Sequence, residues 1–442
     1  MDSKVRLRPV HEIRPGEPVE LFRGDATLEL GDAELPGDAH VCFDWHGGLR
    51  VSVSGESSSI PWRFEDDDPL RLRISDSRWI EVSSLWSTSR FPGGAWEVEG
   101  RVLPVIHGDA DEPLGSILVH IANFPRSTFG SDGVPEFRTV ASDDEWQLAL
   151  DVIDDYEPVA RETRLSRGGA TTHVGLIRRT DGRNFTWDEA AQSLGAARFL
   201  LSFIAGHRVA PMFAVGFDAV GSPQVEEWAD YRRDTLGGVI GWCSDLFRSE
   251  AVESLWPPTL DLWRQPRQWQ ILTVALEFYL DAQKGRNLET RLVSAQAGLE
   301  LLAWEYLTQR ESKLDAARVD GKSAPWRLRR LLERIEVPPA VPGDLLGVSE
   351  LWPNDDGPEV IRRLRNMIVH PTDLESLLGH ASDAKHEVLR LATWYLELAV
   401  LHYLGYQGNH LNRTRPLPIF EGRGEPVPWV RGGGSSNGRA SE

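Results

Sequence analysis

The chain has 442 residues, 41% of them hydrophobic and 26% charged, and a net charge of −19. It is too long for one ordinary core and too apolar to be disordered or fibrous, so a two-domain globular protein is expected. The acidic balance opposes non-specific binding to nucleic acid, and its two cysteines, Cys42 and Cys243, exclude a disulfide framework and point to a reducing cytoplasm.

At the N-terminus, Met1 to Pro9 has no apolar run behind its charges and does not read as a secretory signal. Residues 1 to about 180 read as β-rich. Alternating runs such as Leu49-Arg50-Val51-Ser52-Val53, Trp96-Glu97-Val98-Glu99 and Ile117-Leu118-Val119-His120-Ile121 are separated by turn signals such as Gly93-Gly94 and Gly108-Asp109. The sequence Thr186-Trp187-Asp188-Glu189 has the form of a capping box. It opens a helix from Ala190 to about Ala205, with an apolar stripe at Leu194, Ala197, Phe199, Leu200, Phe203 and Ile204. A strand pair, Ala210 to Phe217 and Gln224 to Trp228, closes the region. The best candidate for a membrane span, Phe199 to Phe217, is interrupted by His207, Arg208 and Pro211.

The periodicity changes near residue 235. Helices are predicted at about 266–284, 287–311, 323–336, 357–370 and 383–404, the second marked by Leu288, Leu292, Ala295, Leu299, Leu302 and Tyr306. The last is apolar around much of its circumference and should be buried. From Gln407 the chain becomes rich in Pro, Gly and Ser and reads as a disordered tail. The predicted fold class is α+β: a β-rich domain over 1–235 with one capped helix, a linker over 236–265, an all-α bundle over 266–405 and a tail over 406–442.

The segment Ile361-Arg362-Arg363-Leu364-Arg365-Asn366-Met367-Ile368-Val369-His370-Pro371 carries the candidate chemistry. Asn366 and His370 lie four apart on one helix face, with Arg365 at its edge and Leu364, Ile368 and Met367 on the packed side. Pro371 should stop the helix and leave His370 accessible. A second Arg-x4-His, at Arg6 and His11, lacks the Asn and any helical pattern and reads as a decoy.

Arg-Asn-x3-His near a helix end, preceded by the amphipathic helix that contains Arg291 to Glu300, resembles a HEPN domain, most nearly the ApeA-like branch of bacterial defence proteins. The resemblance spans about residues 260 to 405. It implies a metal-independent endoribonuclease, acting as a homodimer with two motifs in one cleft and needing no cofactor. Arg365 would hold the phosphate and its transition state, His370 would serve as general base or acid, and Asn366 would orient either. The RNA 2′-OH would be the nucleophile, giving a 2′,3′-cyclic or 3′-phosphate and a 5′-OH. Such a protein would be a defence effector or a toxin. The region before the bundle resembles the sensing or targeting domains of such proteins, through which a protein or phage trigger would act. The alternative is a non-catalytic protein whose bundle serves only for dimerisation or binding.

Other patterns carry less. Arg327, Arg329, Arg330, Arg334, Arg362 and Arg363 interleave with Glu333, Glu336, Asp355, Asp356 and Glu359, as an RNA track or a solvated ion-pair face would. The scarcity of lysine (Lys4, Lys284, Lys313, Lys322 and Lys385) fits GC-rich coding better than nucleic-acid binding. His40, Cys42, Asp44 and His46 are zinc-ligating types, but alternate residues of one strand stand about 7 Å apart and cannot converge on one ion. No metal site is expected. Glu311-Ser312-Lys313 matches the tail of a PD-(D/E)xK nuclease motif without an upstream Asp. Glu65-Asp66-Asp67-Asp68 reads as a turn, and the tryptophans read as packing rather than base-stacking.

Overall fold

The computed structural model describes residues 5–30, 33–56, 70–74, 79–90, 95–127, 137–166, 168–237, 241–310, 315–370, 382–416 and 424–431. The fold is α+β, a β-rich N-terminal region followed by a helical one. No described helix is long and apolar enough to cross a membrane. Two compact units divide after Gly237; the first also releases Phe199–Arg208 to the second.

The first unit begins with strands whose alternation is strict enough to close a barrel. Strands β1 (Val19–Leu30), β2 (Ala33–Asp44), β3 (Gly48–Glu56), β4 (Leu70–Ile74), β5 (Trp79–Arg90) and β6 (Ala95–Val102) close in the order β1-β2-β3-β6-β5-β4. Every second residue turns inward, so Val41 and Phe43 are buried while His40, Cys42 and Asp44 stay on the outer, half-exposed side. Val51, Val53, Leu72, Ile80, Trp96 and Val98 help fill the interior. The strands crowd where they lack side chains: a Cβ on Gly37 would lie 2.3 Å from the Ser54 carbonyl oxygen.

A seven-stranded antiparallel sheet follows in the same unit. Its strands are β7 (Val105–Gly108), β8 (Ser116–Ala122), β9 (Arg138–Ser142), β10 (Trp146–Val152), β11 (Thr171–Arg179), β12 (Ala210–Phe217) and β13 (Pro223–Trp228), ordered β7-β13-β12-β8-β11-β10-β9. Ala122, Ala210, Met212, Phe213, Trp228 and Tyr231 share one core cluster with the barrel. Farther along the sheet, Leu118, Ala149, Val174 and Leu176 form a second cluster with Leu7. The N-terminal segment is pinned there: Asp151 accepts the Leu7 N–H at 2.7 Å and binds Arg138 at 2.6 Å. The predicted capping box is formed, because Glu189 accepts the Thr186 N–H at 2.7 Å and opens helix Trp187–Ala205. A further helix, Tyr156–Ser166, was not foreseen; only Tyr156, Ala160 and Thr163 of it are buried, too short a stripe to stand out.

The second unit is helical. Taking Tyr156–Ser166 as α1 and Trp187–Ala205 as α2, it contains α3 (Arg248–Trp263), α4 (Pro266–Lys284), α5 (Leu288–Glu305), α6 (Ala316–Asp320), α7 (Ala324–Arg334), α8 (Leu346–Leu351), α9 (Gly357–Val369) and α10 (Ser382–Tyr403). Helix α5 runs into one π-helical turn, Tyr306–Arg310. Helix α10 is buried on nearly every side, as its composition predicts.

Two expectations are corrected. The interval 236–265, read as a linker, contains α3. Pro257 and Pro258 disguise it by removing backbone donors, but Val252, Leu255, Trp256 and Leu260 bury a full stripe. The tail over 406–442 is not disordered throughout: His410 is fully buried, Leu411 N–H donates to the Trp242 carbonyl at 2.7 Å, and Asn409–His410 pairs with Glu425–Pro426. Residues 417–423 and 432–442 lie outside the described residues.

Candidate functional site

Helix α9 is set by its first turn. Asp356 is its N-cap and accepts the Glu359 N–H at 3.1 Å, and Pro358 occupies the turn where a missing donor costs nothing. Val360, Ile361 and Leu364 are fully buried, which fixes the helix's rotation. Arg365 and Asn366 are half-buried, and His370 is exposed. Met367 and Ile368, expected on the packed side, are only half-buried, and Val369 is 40% exposed.

Arg365 Nη1–H donates to Asn366 Oδ1 at 3.2 Å, so the structure brings these two together. His370 stands just off the helix, with φ −128° and ψ 68°, although its N–H still reaches the Asn366 carbonyl at 2.8 Å. A residue before proline avoids helical geometry, which accounts for the departure from the predicted end at 370. Pro371 itself lies outside the described residues. Among those residues, no hydrogen bond joins the His370 imidazole to Arg365 or Asn366.

The surrounding arginines are spoken for. Arg363 binds Asp355 at 2.6 Å, Arg329 binds Asp356 at 2.9 Å, Arg327 binds Glu300 at 2.7 Å and Arg330 binds Glu333 at 2.7 Å. Arg362 pairs with Glu359, and its guanidinium holds that carboxyl below the ordinary range. Of the two interpretations of this charge, the ion-pair face is the one built. Arg365 is the exception: among the described residues, it alone of the α9 arginines has no carboxylate partner. A half-exposed guanidinium oriented by an amide, near an accessible imidazole, can hold a phosphate and exchange a proton.

The other candidates have structural employment. His11 pairs with Glu226 at 2.6 Å. His40 faces Glu20 at 3.1 Å, and Asp44 caps the His46 and Gly47 N–H groups at 2.7 and 2.8 Å. Among the described residues, no group of three or more His, Cys, Asp and Glu is placed to hold a metal ion. Glu311-Ser312-Lys313 and Glu65-Asp66-Asp67-Asp68 lie outside the described residues.

Sequence reasoning missed a buried polar network. Glu397 of α10 is fully buried; it binds Arg413 at 2.7 Å and accepts from the Tyr279 hydroxyl at 2.8 Å, which in turn accepts from Gln283 at 2.9 Å. Burial raises the Tyr279 phenol well above its ordinary range, with Glu397 adding to the effect. One signal was available: Glu397 is the one acid within the apolar run from Leu391 to Leu404.

Residues 265–423 match the family model described as the YopA C-terminal domain, and residues 109–238 that of the YopA central domain. The barrel strands precede both. Over 441 residues the chain is 28% identical to the "SPbeta prophage-derived uncharacterized protein YopA" of Bacillus subtilis (strain 168), covering 93% of this chain and 95% of that protein. No solved structure matches the chain.

Proposed function

We propose that the helical unit is a metal-independent HEPN-type endoribonuclease with Arg365, Asn366 and His370 as its catalytic residues. The observation that carries this reading is Arg365, which among the described residues has no carboxylate partner and is oriented by Asn366, where the other arginines of its helix are paired. Arg365 holds the scissile phosphate and stabilises charge developing on it. His370 moves the proton of the attacking 2′-OH or of the leaving 5′-oxygen. One imidazole cannot do both at once, so two chains supply the acid and the base in a homodimer. The half-exposed Met367, Ile368 and Val369 beside the motif suit such a contact. Activity in the cytoplasm, as a defence effector or toxin with the β-rich unit as sensor, accords with the prophage origin of the relative.

The test is cleavage of total cellular RNA by the full chain in EDTA, with the new ends sequenced. Wild type should leave 5′-OH ends, and His370→Ala should leave the RNA intact. Cleavage that chelation stops and His370→Ala does not would overturn the reading. Sedimentation should show a dimer at micromolar concentration. A dimer that cuts no RNA would favour the second reading, a non-catalytic dimerisation module, which the absence of a bond from His370 to its two partners supports.

A further inference from the structure

The first unit carries a concave depression of about 530 Å3, lined among others by Gly115, Gln147, Arg178, Thr180, Gly182 and Asn184. It lies where three connections meet: the entry to β8, the turn after β11 and the β12–β13 turn, which contributes Ala219. The sheet explains its floor. Arg178 and Gln147 are register partners on β11 and β10, on the same face as Leu176 and Ala149, so they continue that apolar row to the sheet's end. Small residues make the hollow. Gly115 would bring a Cβ to 3.2 Å of the Ala219 backbone, and Gly182, with φ +73°, has nothing within 4 Å of a Cβ.

The polar lining is prepared rather than neutral. Arg178 donates through Nε to Gln147 Oε1 at 2.9 Å, and Gln147 is tied back to Ser142 at 3.0 Å, so the guanidinium is held by its stem side. Among the described residues, its Nη groups have no acceptor, and the Asn184 amide has no partner. Nearby carboxylates are committed elsewhere: Asp181 to Arg179 and Arg183, and Asp218 to the N–H groups of Val220 and Ser222 and to Gln224. The Thr180 hydroxyl is spent on the Asp144 carbonyl at 2.7 Å, but a guanidinium with a free fork beside an amide matches an oxyanion. The volume exceeds that of a bare ion and falls within the range of small-molecule pockets.

We infer that this depression binds a small molecule through its phosphate or carboxylate group, with Arg178 as the anchor. The inference is independent of the proposed nuclease chemistry. Calorimetric titration of the full chain with inorganic phosphate and, separately, with succinate tests it and distinguishes the two anions. Saturable binding of either is expected. Arg178→Gln should weaken it by about tenfold or more, as loss of a charge-assisted pair does. Asn184→Asp, an exposed change that places a like charge in the lining without disturbing the sheet, should weaken it similarly. Arg23→Gln, on β1 of the barrel and outside the lining, should leave it unchanged. Absence of saturable binding to both anions, or binding that survives both Arg178→Gln and Asn184→Asp, would overturn it.

Discussion

Arg413 and Arg365 belong to the same helical unit and face opposite physical demands. Arg413 has a side chain only 12% exposed and spends its charge on the fully buried Glu397. Arg365 is half-exposed at a helix end and spends one hydrogen bond on a neutral amide. A buried charge without a partner would cost several kcal/mol, so the fold itself demands the first pairing. A charge in contact with water costs little, so nothing in the fold demands the second arrangement. The contrast separates residues kept for stability from residues free to serve chemistry.

The comparison breaks first at the buried pair. Arg413→Met should lower the stability of the helical unit by about 3–5 kcal/mol, because Glu397 is left with an uncompensated charge. Glu397→Met should cost a similar amount, and the double Met variant should recover part of the loss. Thermal unfolding followed by circular dichroism measures all three. Single variants that unfold within a degree of wild type would mean that Glu397 is already neutral in the fold.

The same contrast explains what the sequence revealed. Helices α4, α5, α7, α9 and α10 were legible because their apolar stripes repeat at helical spacing, and the strands around Val41 and Phe43 because they alternate. Arg365, Asn366 and His370 were legible as a local pattern, since they lie in one short segment at the end of α9. Arg413 was not, because its partner is 16 residues away and its own segment is rich in Pro and Gly. Closure of the barrel was equally hidden: β1 pairs with β4, a long-range register that no local period encodes. The pocket at Arg178 depends on three separate connections and left no linear trace.

A second buried group sharpens the comparison through pH. His120 accepts the N–H groups of Val10 and His11 at Nε2, at 3.0 and 3.2 Å, and its Nδ1 faces the Phe213 carbonyl at 3.3 Å. Only the neutral ring can do this. Burial pushes its pKa from the ordinary 6.5 down to about 3, with His11 adding to the effect. Above pH 6.5 neither the folded nor the unfolded chain protonates this ring, and its contribution to stability is complete. As the pH falls from 6.5 toward 3, the unfolded chain takes up a proton that the fold refuses, so stability is lost. By pH 4 the loss should be on the order of 3 kcal/mol. His120→Gln can keep both an acceptor and a donor and should flatten the melting profile between pH 7 and 4. A variant profile parallel to wild type would assign the acid sensitivity to other groups.

A smaller effect belongs to the start of α9. Asp356→Ala removes the N-cap and the Arg329 partner together, and should destabilise the helical unit by about 1 kcal/mol. Asp356→Asn retains a cap acceptor and should recover most of that. Equal melting of both variants and wild type would show that packing of Val360, Ile361 and Leu364 alone holds the helix.

The smallest effect on folding is predicted at the proposed catalytic arginine, where the effect on activity should be complete. Arg365→Ala removes one hydrogen bond at a half-exposed position and leaves no buried charge behind, so stability should change by no more than about 0.5 kcal/mol. Arg362→Ala is the matched control. It also removes a guanidinium from α9, but one paired with Glu359, at a similarly small cost of about 0.3–0.5 kcal/mol. The two variants should therefore melt alike while differing in function: Arg362→Ala should retain RNA cleavage, and Arg365→Ala should abolish it. Equal loss of cleavage in both would trace the effect to net positive charge on the helix rather than to a placed guanidinium. A large drop in the melting temperature of Arg365→Ala would place Arg365 with Arg413, as a residue the fold requires.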